Sequence, residues 1–429
     1  MKKVEFSRIC GIYLILMCSV FLLSASPRGY LDIVETKYAV FCSLTALFLL
    51  AFIVSFVRKR IPRGQEWDTV HFLILCYWAW SLLSAFCSPW KGTAFLGGNR
   101  CDGFITVTLY CAVFLLLSLY GDDIRFPLWV PAAALSVLCL VAILQFFDLN
   151  PLRLYPAGLR WSGRERDYNG AFLSLTGNAD LTASVLCTGF AFLWPLGIQK
   201  GRRLFLLPAV LCLGVLLASG IRAGLIGAAA SVLFCLPAAL PLSLRRKKRL
   251  WAALLLLCVC ILLVLYCVPL SGICGELHAI LHGHAEDSFG SGRIYIWKEA
   301  VNLAKERPLF GGGPDTMGER GLAFVKYADD GTVIRRTIDC AHCEPLNILV
   351  NQGIPAVLFL TAAVILTLLR IIRNGNASGI PLASAFIAYL ADSVFGIGMP
   401  ANAAYFWLIW AMLLRKTAKV NGNQRFNAN

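Results

Sequence analysis

Three residues in this chain have types and settings suited to chemistry on a charged substrate: Arg222, Arg293 and His342. Arg222 stands in Ser219-Gly220-Ile221-Arg222-Ala223-Gly224, a tight turn between two apolar runs. A guanidinium there can bind phosphate through two parallel N–H bonds. It can equally snorkel to lipid headgroups while Gly220 and Gly224 simply let two helices pack closely. Arg293 opens a helical pattern in which Ile294, Trp297, Val301 and Ala304 share one face, with Ser291 as the expected N-cap. A cation in a first helical turn opposes the helix dipole, which hints at a ligand. His342 precedes a short helix expected from Pro345 to Gly353. An imidazole titrates near pH 6.5 in water and so can take a proton at neutral pH, although a loop histidine is more often only solvated.

Around His342, Cys340-Ala341-His342-Cys343 admits other readings. A redox pair lacks the βαβ context that such pairs occupy. A zinc site with His282 or His284 matches no standard spacing. A disulfide from Cys274 to one of these cysteines, stapling the loop, is the better alternative. No metal and no cofactor are expected.

The elements that must position these groups are apolar helices. The chain has 429 residues, of which 58% are hydrophobic and 15% charged, against roughly a quarter charged in soluble domains. Runs of about 20 apolar residues, each able to cross the hydrocarbon as a helix, recur throughout. They fall at 9–26, 37–57, 69–87, 103–120, 126–147, 180–198, 203–219, 221–243, 250–271, 350–372, 379–397 and 400–416. The expected fold is all-α: a polytopic membrane helix bundle of about 12 transmembrane helices with one large extracytoplasmic loop. Residues 1–270 hold helices 1–9 and short outer loops, 271–349 the large loop, and 350–429 helices 10–12 and a cytoplasmic tail.

Net charge +15 would suggest nucleic acid in a soluble protein, but inner loops of membrane proteins collect Lys and Arg. One side carries 22 Lys/Arg against five acids, leaving 17 basic and 19 acidic residues opposite. The first side is assigned to the cytoplasm, with both termini. Connections 88–102 and 148–179, the Arg222 turn and the large loop then face outward together. Cations gather there against the topology rule: Lys91, Arg100, Arg160 and Arg222. Four of the five histidines (His278, His282, His284, His342) lie in the large loop.

Taken in order, these segments resemble a known family. They are Gly98-Asn99-Arg100-Cys101-Asp102-Gly103, Thr176-Gly177-Asn178 before a span ending in Pro195, and Ser219-x-x-Arg222-Ala223-Gly224. Arg293-x-x-x-Trp297 and Arg307-Pro308-Leu309-Phe310-Gly311-Gly312-Gly313 follow, then Ala341-His342 with Asn347 and Gln352-Gly353-Ile354. The pattern covers roughly residues 65–415 and resembles the O-antigen ligase and O-antigen polymerase family of the Wzy-C type. Cys343 stands where many relatives have Asn, and Ile221 where a small polar residue is usual.

The resemblance implies an inverting, metal-independent glycosyltransferase in the bacterial cytoplasmic membrane. It implies transfer from an undecaprenyl-diphosphate carrier to a lipid, glycan or protein acceptor at the outer face, with no nucleic acid involved. Carried over by position, Arg222 and Arg293 hold the diphosphate and His342 activates or orients the acceptor hydroxyl. Arg100, Arg160 and Lys91 add to the anion field or touch sugar; Asn178 and Trp297 hydrogen-bond or stack on sugar, packing being the plainer role for Trp297. A transporter of an anion or small solute is the alternative, and it requires ionisable groups inside spans, where Asp392 and Gln145 are almost all there is. A non-catalytic scaffold leaves the outer gathering of basic and titratable groups without a purpose.

Overall fold

The computed structural model describes residues 2–61, 64–121, 124, 126–155, 172–199, 201–327, 333–373 and 379–426. A helix underlies every expected span. In chain order they are α1 Lys2–Leu16, extended by a π-turn to Phe21, α2 Ile33–Val57, α3 Thr69–Cys87, the short α4 Lys91–Leu96, and α5 Phe104–Tyr120. Then come α6 Trp129–Phe146, α7 Ala179–Gly197, α8 Leu206–Ser219, α9 Arg222–Ala239 and α10 Leu244–Cys267. The large loop holds α11 Gly272–Leu281, α12 Phe289–Glu306 and a hairpin, β1 Ala323–Tyr327 with antiparallel β2 Val333–Thr337. α13 Glu344–Arg373, α14 Ile380–Ser393 and α15 Pro400–Phe426 complete the chain. Among the described residues the protein is therefore helical apart from one hairpin.

Among the described residues, seven helices are long and apolar enough to cross a membrane: α2, α3, α6, α7, α9, α10 and α13. Helices α5, α8 and α14 are apolar but shorter than the roughly 20 residues of a full crossing. Two aromatic-rich and aliphatic cores hold the bundle. One joins Phe41, Phe114, Phe386, Phe406, Trp407 and Trp410; the other joins Leu138, Leu186, Leu193 and Leu216 across α6, α7 and α8. α10 has no buried residue, and it begins at Leu244, so the basic run Arg245–Arg249 lies inside its first turns rather than in a loop.

The break in α13 fixes the geometry of the site above it. Pro355 has no N–H, so the Asn351 carbonyl four residues earlier loses its helical donor. Gly353 there adopts φ 81° and ψ 178°, a region essentially reserved for glycine. The freed groups are all taken up, as buried backbone polar groups must be. Gly313 N–H donates to the Asn351 carbonyl at 2.7 Å, Gly312 N–H to that of Val350 at 3.0 Å, and Ile354 N–H to that of Pro308 at 2.9 Å. From α3, Ser84 donates to the carbonyls of Phe310 and Asn351, Ser88 to that of Gly312, and Trp80 to those of Leu309 and Gln352. Residues 80 and 84 share one helical face and Ser88 follows at the C-terminal cap, so α3 and its end offer polar groups to the break.

A Cβ at Gly353 would stand 2.0 Å from the Leu309 carbonyl oxygen. Gly353→Ala is expected to lower the melting temperature of the detergent-solubilised protein markedly, at a cost of about 3 kcal/mol or more from strain plus displaced loop. An unchanged melting temperature would mean that the break is not the brace described.

Candidate functional site

One end of the bundle collects the polar residues. The 88–102 connection is tied to the large loop by acids: Asp315 Oδ2 accepts from the backbone N–H groups of Gly98 at 2.7 Å and Asp102 at 3.1 Å. Thr93 donates to Glu319 at 2.8 Å. Arg100 is only 8% exposed and pairs with Asp339 at 2.8 Å, while its Nε and Nη1 are buried without a partner among the described residues. A cavity of about 20 Å3, room for a single water, adjoins Arg100, Asp102, Asp315 and Glu344. Burial pushes the carboxyls of Asp102 and Asp315 above the usual range.

His342 follows this cluster in a left-handed conformation, φ 48°, that non-glycine residues seldom adopt. Its Nδ1 is buried with no hydrogen-bond partner among the described residues. Burial, then the positive charges of Arg100 and Arg293, lower its pKa from 6.5 to about 4, outweighing Asp180 and Asp339. The ring is thus neutral at pH 7, held so chiefly by burial rather than poised near its ordinary value. Trp297 positions the segment: its indole N–H donates to the Ala341 carbonyl at 3.0 Å, and the ring packs 6.0 Å from Phe395.

α12 starts differently from the sequence expectation. Ser291 is not a capping residue, because Gly290, Ser291 and Gly292 all take left-handed angles (φ 62°, 62° and 84°), and the regular helix begins after them. Two glycines flanking one serine make that run affordable. Arg293 folds back so that its Nη1 donates to the Gly290 carbonyl at 3.0 Å, and its Nε is buried without a partner among the described residues. Arg222, at the first turn of α9, lies 3.7 Å from the carboxylate of Glu276 on α11. The same Glu276 oxygen accepts from Gly290 N–H at 3.2 Å. Arg222 and the Arg293 turn therefore meet at one carboxylate, and Arg293 in turn acts on His342 through its charge.

The other expected residues separate. Asn178 spends its side-chain oxygen capping α7, accepting from Asp180 N–H at 2.8 Å and Leu181 N–H at 3.2 Å. Lys91 begins α4 and is exposed. Arg160 lies outside the described residues. Cys340 is buried, its thiol pushed up to about 11 chiefly by burial, and Cys274 sits exposed on α11; both are free thiols, as is Cys343. Among the described residues no three His, Cys, Asp or Glu side chains are grouped closely enough to hold a metal.

The groups that a transport reading would use are largely engaged in packing. Gln145 donates to Tyr30 and accepts from Ser174 N–H, and buried Lys37, unremarked in the sequence, donates to the carbonyls of Phe21 and Leu22. Asp392 is 1% exposed with one oxygen unpartnered among the described residues. A separate cavity of about 320 Å3 lies between helices, lined by such residues as Leu14, Phe192, Leu382 and Tyr405, away from the three candidate residues.

Sequence reasoning missed Glu276, Asp315 and Asp339, the acids that organise the cations. Their signal in the sequence is the surplus of acids on the side assigned as outer. No curated protein matches the chain. The family model described as O-antigen ligase (Wzy_C) matches residues 207–361, the stretch that carries Arg222, Glu276, Arg293 and His342, so this third of the chain is similar to the O-antigen ligase family.

Proposed function

We propose that the protein transfers a glycan from an undecaprenyl-diphosphate carrier to an acceptor hydroxyl at the outer face of the bacterial cytoplasmic membrane. The observation that carries this reading is the meeting of Arg222 and the Arg293 turn on a single carboxylate, beside a neutral His342. A glycosyl diphosphate is already activated, so the reaction needs neither nucleotide nor metal. The acceptor oxygen attacks the anomeric carbon opposite the departing phosphate, inverting it. The bonding pair of the broken C–O bond leaves on the diphosphate, where Arg222 and Arg293 meet the growing charge. The hydroxyl proton passes to His342. Fixed cations at a poorly hydrated membrane edge act more strongly than in water.

In this reading the chain crosses the membrane twelve times with both termini cytoplasmic, and residues 271–349 form the extracytoplasmic working part between 1–270 and 350–429. Arg100 supplies field from its buried position, with Lys91 at the rim. The test is incubation of the purified protein with a lipid-diphosphate glycan and candidate hydroxyl acceptors, with chelator added in parallel and product anomers assigned by NMR. Inverted product, insensitive to chelator, is expected; retention or loss of activity on chelation contradicts the mechanism. Trp297→Phe, which keeps the ring but deletes the N–H worth about 1 kcal/mol, is expected to lower kcat about fivefold with KM unchanged. A raised KM with unchanged kcat would instead make Trp297 a sugar contact.

A further inference from the structure

Glu276 is the acid that Arg222 meets. It sits on α11, an amphipathic helix whose Ile273, Leu277 and Ile280 are exposed. α11 is held to α10 by His278 Nδ1 at the Leu265 carbonyl, 2.9 Å, and by His282 stacked on Tyr266 at 4.4 Å. Toward the rest of the site it reaches through Glu276. One oxygen of that carboxylate meets two donors of different origin, the Arg222 guanidinium and the Gly290 backbone N–H. Gly290 opens the left-handed run 290–292 and gives its N–H to the carboxylate, while the Gly292 N–H is taken by the Ser288 carbonyl at 3.0 Å. The pair is slack: 3.7 Å is longer than a charge-assisted hydrogen bond of about 2.8 Å, and Arg222 and Glu276 are 44% and 31% exposed.

We propose that the Glu276 carboxylate is a built-in stand-in for a phosphate, occupying an anion cradle formed by Arg222 and the Gly290 backbone N–H until a diphosphate displaces it. This rests on the reading of Arg222 as a diphosphate ligand and adds two elements to it, a backbone donor and an internal competitor. A doubly charged diphosphate outcompetes a single carboxylate for the same donors, whereas singly charged anions do not. The displaced α11 then remains attached through α10, so the helix acts as a tethered flap over the cradle.

The experiment measures equilibrium binding of undecaprenyl diphosphate to the full-length protein in nanodiscs, with undecaprenyl monophosphate in parallel. Three forms are compared: wild type, Glu276→Gln and Arg222→Ala. Glu276→Gln keeps an oxygen for Gly290 N–H, so the turn is retained while the competing charge is removed. It is expected to tighten diphosphate binding about fivefold, the scale of an exposed ion pair, and monophosphate binding less. Equal or weaker diphosphate binding in Glu276→Gln, with Arg222→Ala still weakened, overturns the stand-in and makes Glu276 a brace. Binding indifferent to Arg222→Ala overturns the diphosphate site itself.

Discussion

Arg222→Ala and Arg293→Ala should each lower kcat about 10²–10³-fold, the usual cost of removing one preorganised donor from developing negative charge. Lysine should recover little at either position. Arg293 uses one nitrogen on the Gly290 carbonyl and keeps others for a ligand, a division that a compact ammonium cannot reproduce. The two losses should combine to less than their product, because both groups are expected to serve one leaving group. Full additivity would mean two independent anion sites. The measurement is single-turnover transfer with saturating donor, so that weakened binding does not masquerade as slower chemistry.

His342→Ala is the second large effect, about 10²–10⁴-fold in kcat if the imidazole takes the acceptor proton. Its pH signature is more discriminating. In the donor-free protein the ring titrates near 4, because burial and the charges of Arg100 and Arg293 oppose its protonation. A base must be neutral, so activity is retained above that value and falls as pH drops through it. The acid limb of kcat/KM should therefore lie near 4 rather than 6.5. Bound diphosphate brings negative charge beside Arg293, which eases protonation and moves the acid limb of kcat upward. An acid limb that stays the same in His342→Gln would assign it to another group.

The apolar helices were legible because a span needs about 20 apolar residues and little else resembles that. The break in α13 was legible too, since Gly353 followed by Pro355 can hardly continue a helix. Other features depend on partners far along the chain. Ser291 has the type of an N-cap, yet Gly290 and Gly292 on either side let the backbone run left-handed and give Gly290 N–H to Glu276. Trp297 sits on an apolar helical face, and nothing local says that its N–H finds Ala341, 44 residues on. The hairpin 323–337 carries no helical period and was simply part of the polar loop. Asn178 shows the converse: its cap role is a local pattern, Asn before a helix, that a search for sugar contacts passed over.

In the proposed mechanism Arg222, Arg293 and His342 grip and use a lipid diphosphate on the outer side of the membrane. Cys274, exposed on α11 two residues from Glu276, reports that side in the unmodified protein. Intact cells, or spheroplasts where an outer membrane is present, are treated with a membrane-impermeant maleimide, and the Cys274 peptide is read by mass spectrometry against inverted vesicles. Labelling from outside alone is the expected result. Labelling only from the cytoplasmic face would put the cradle where no externally displayed donor can reach it, and would contradict the proposed reaction.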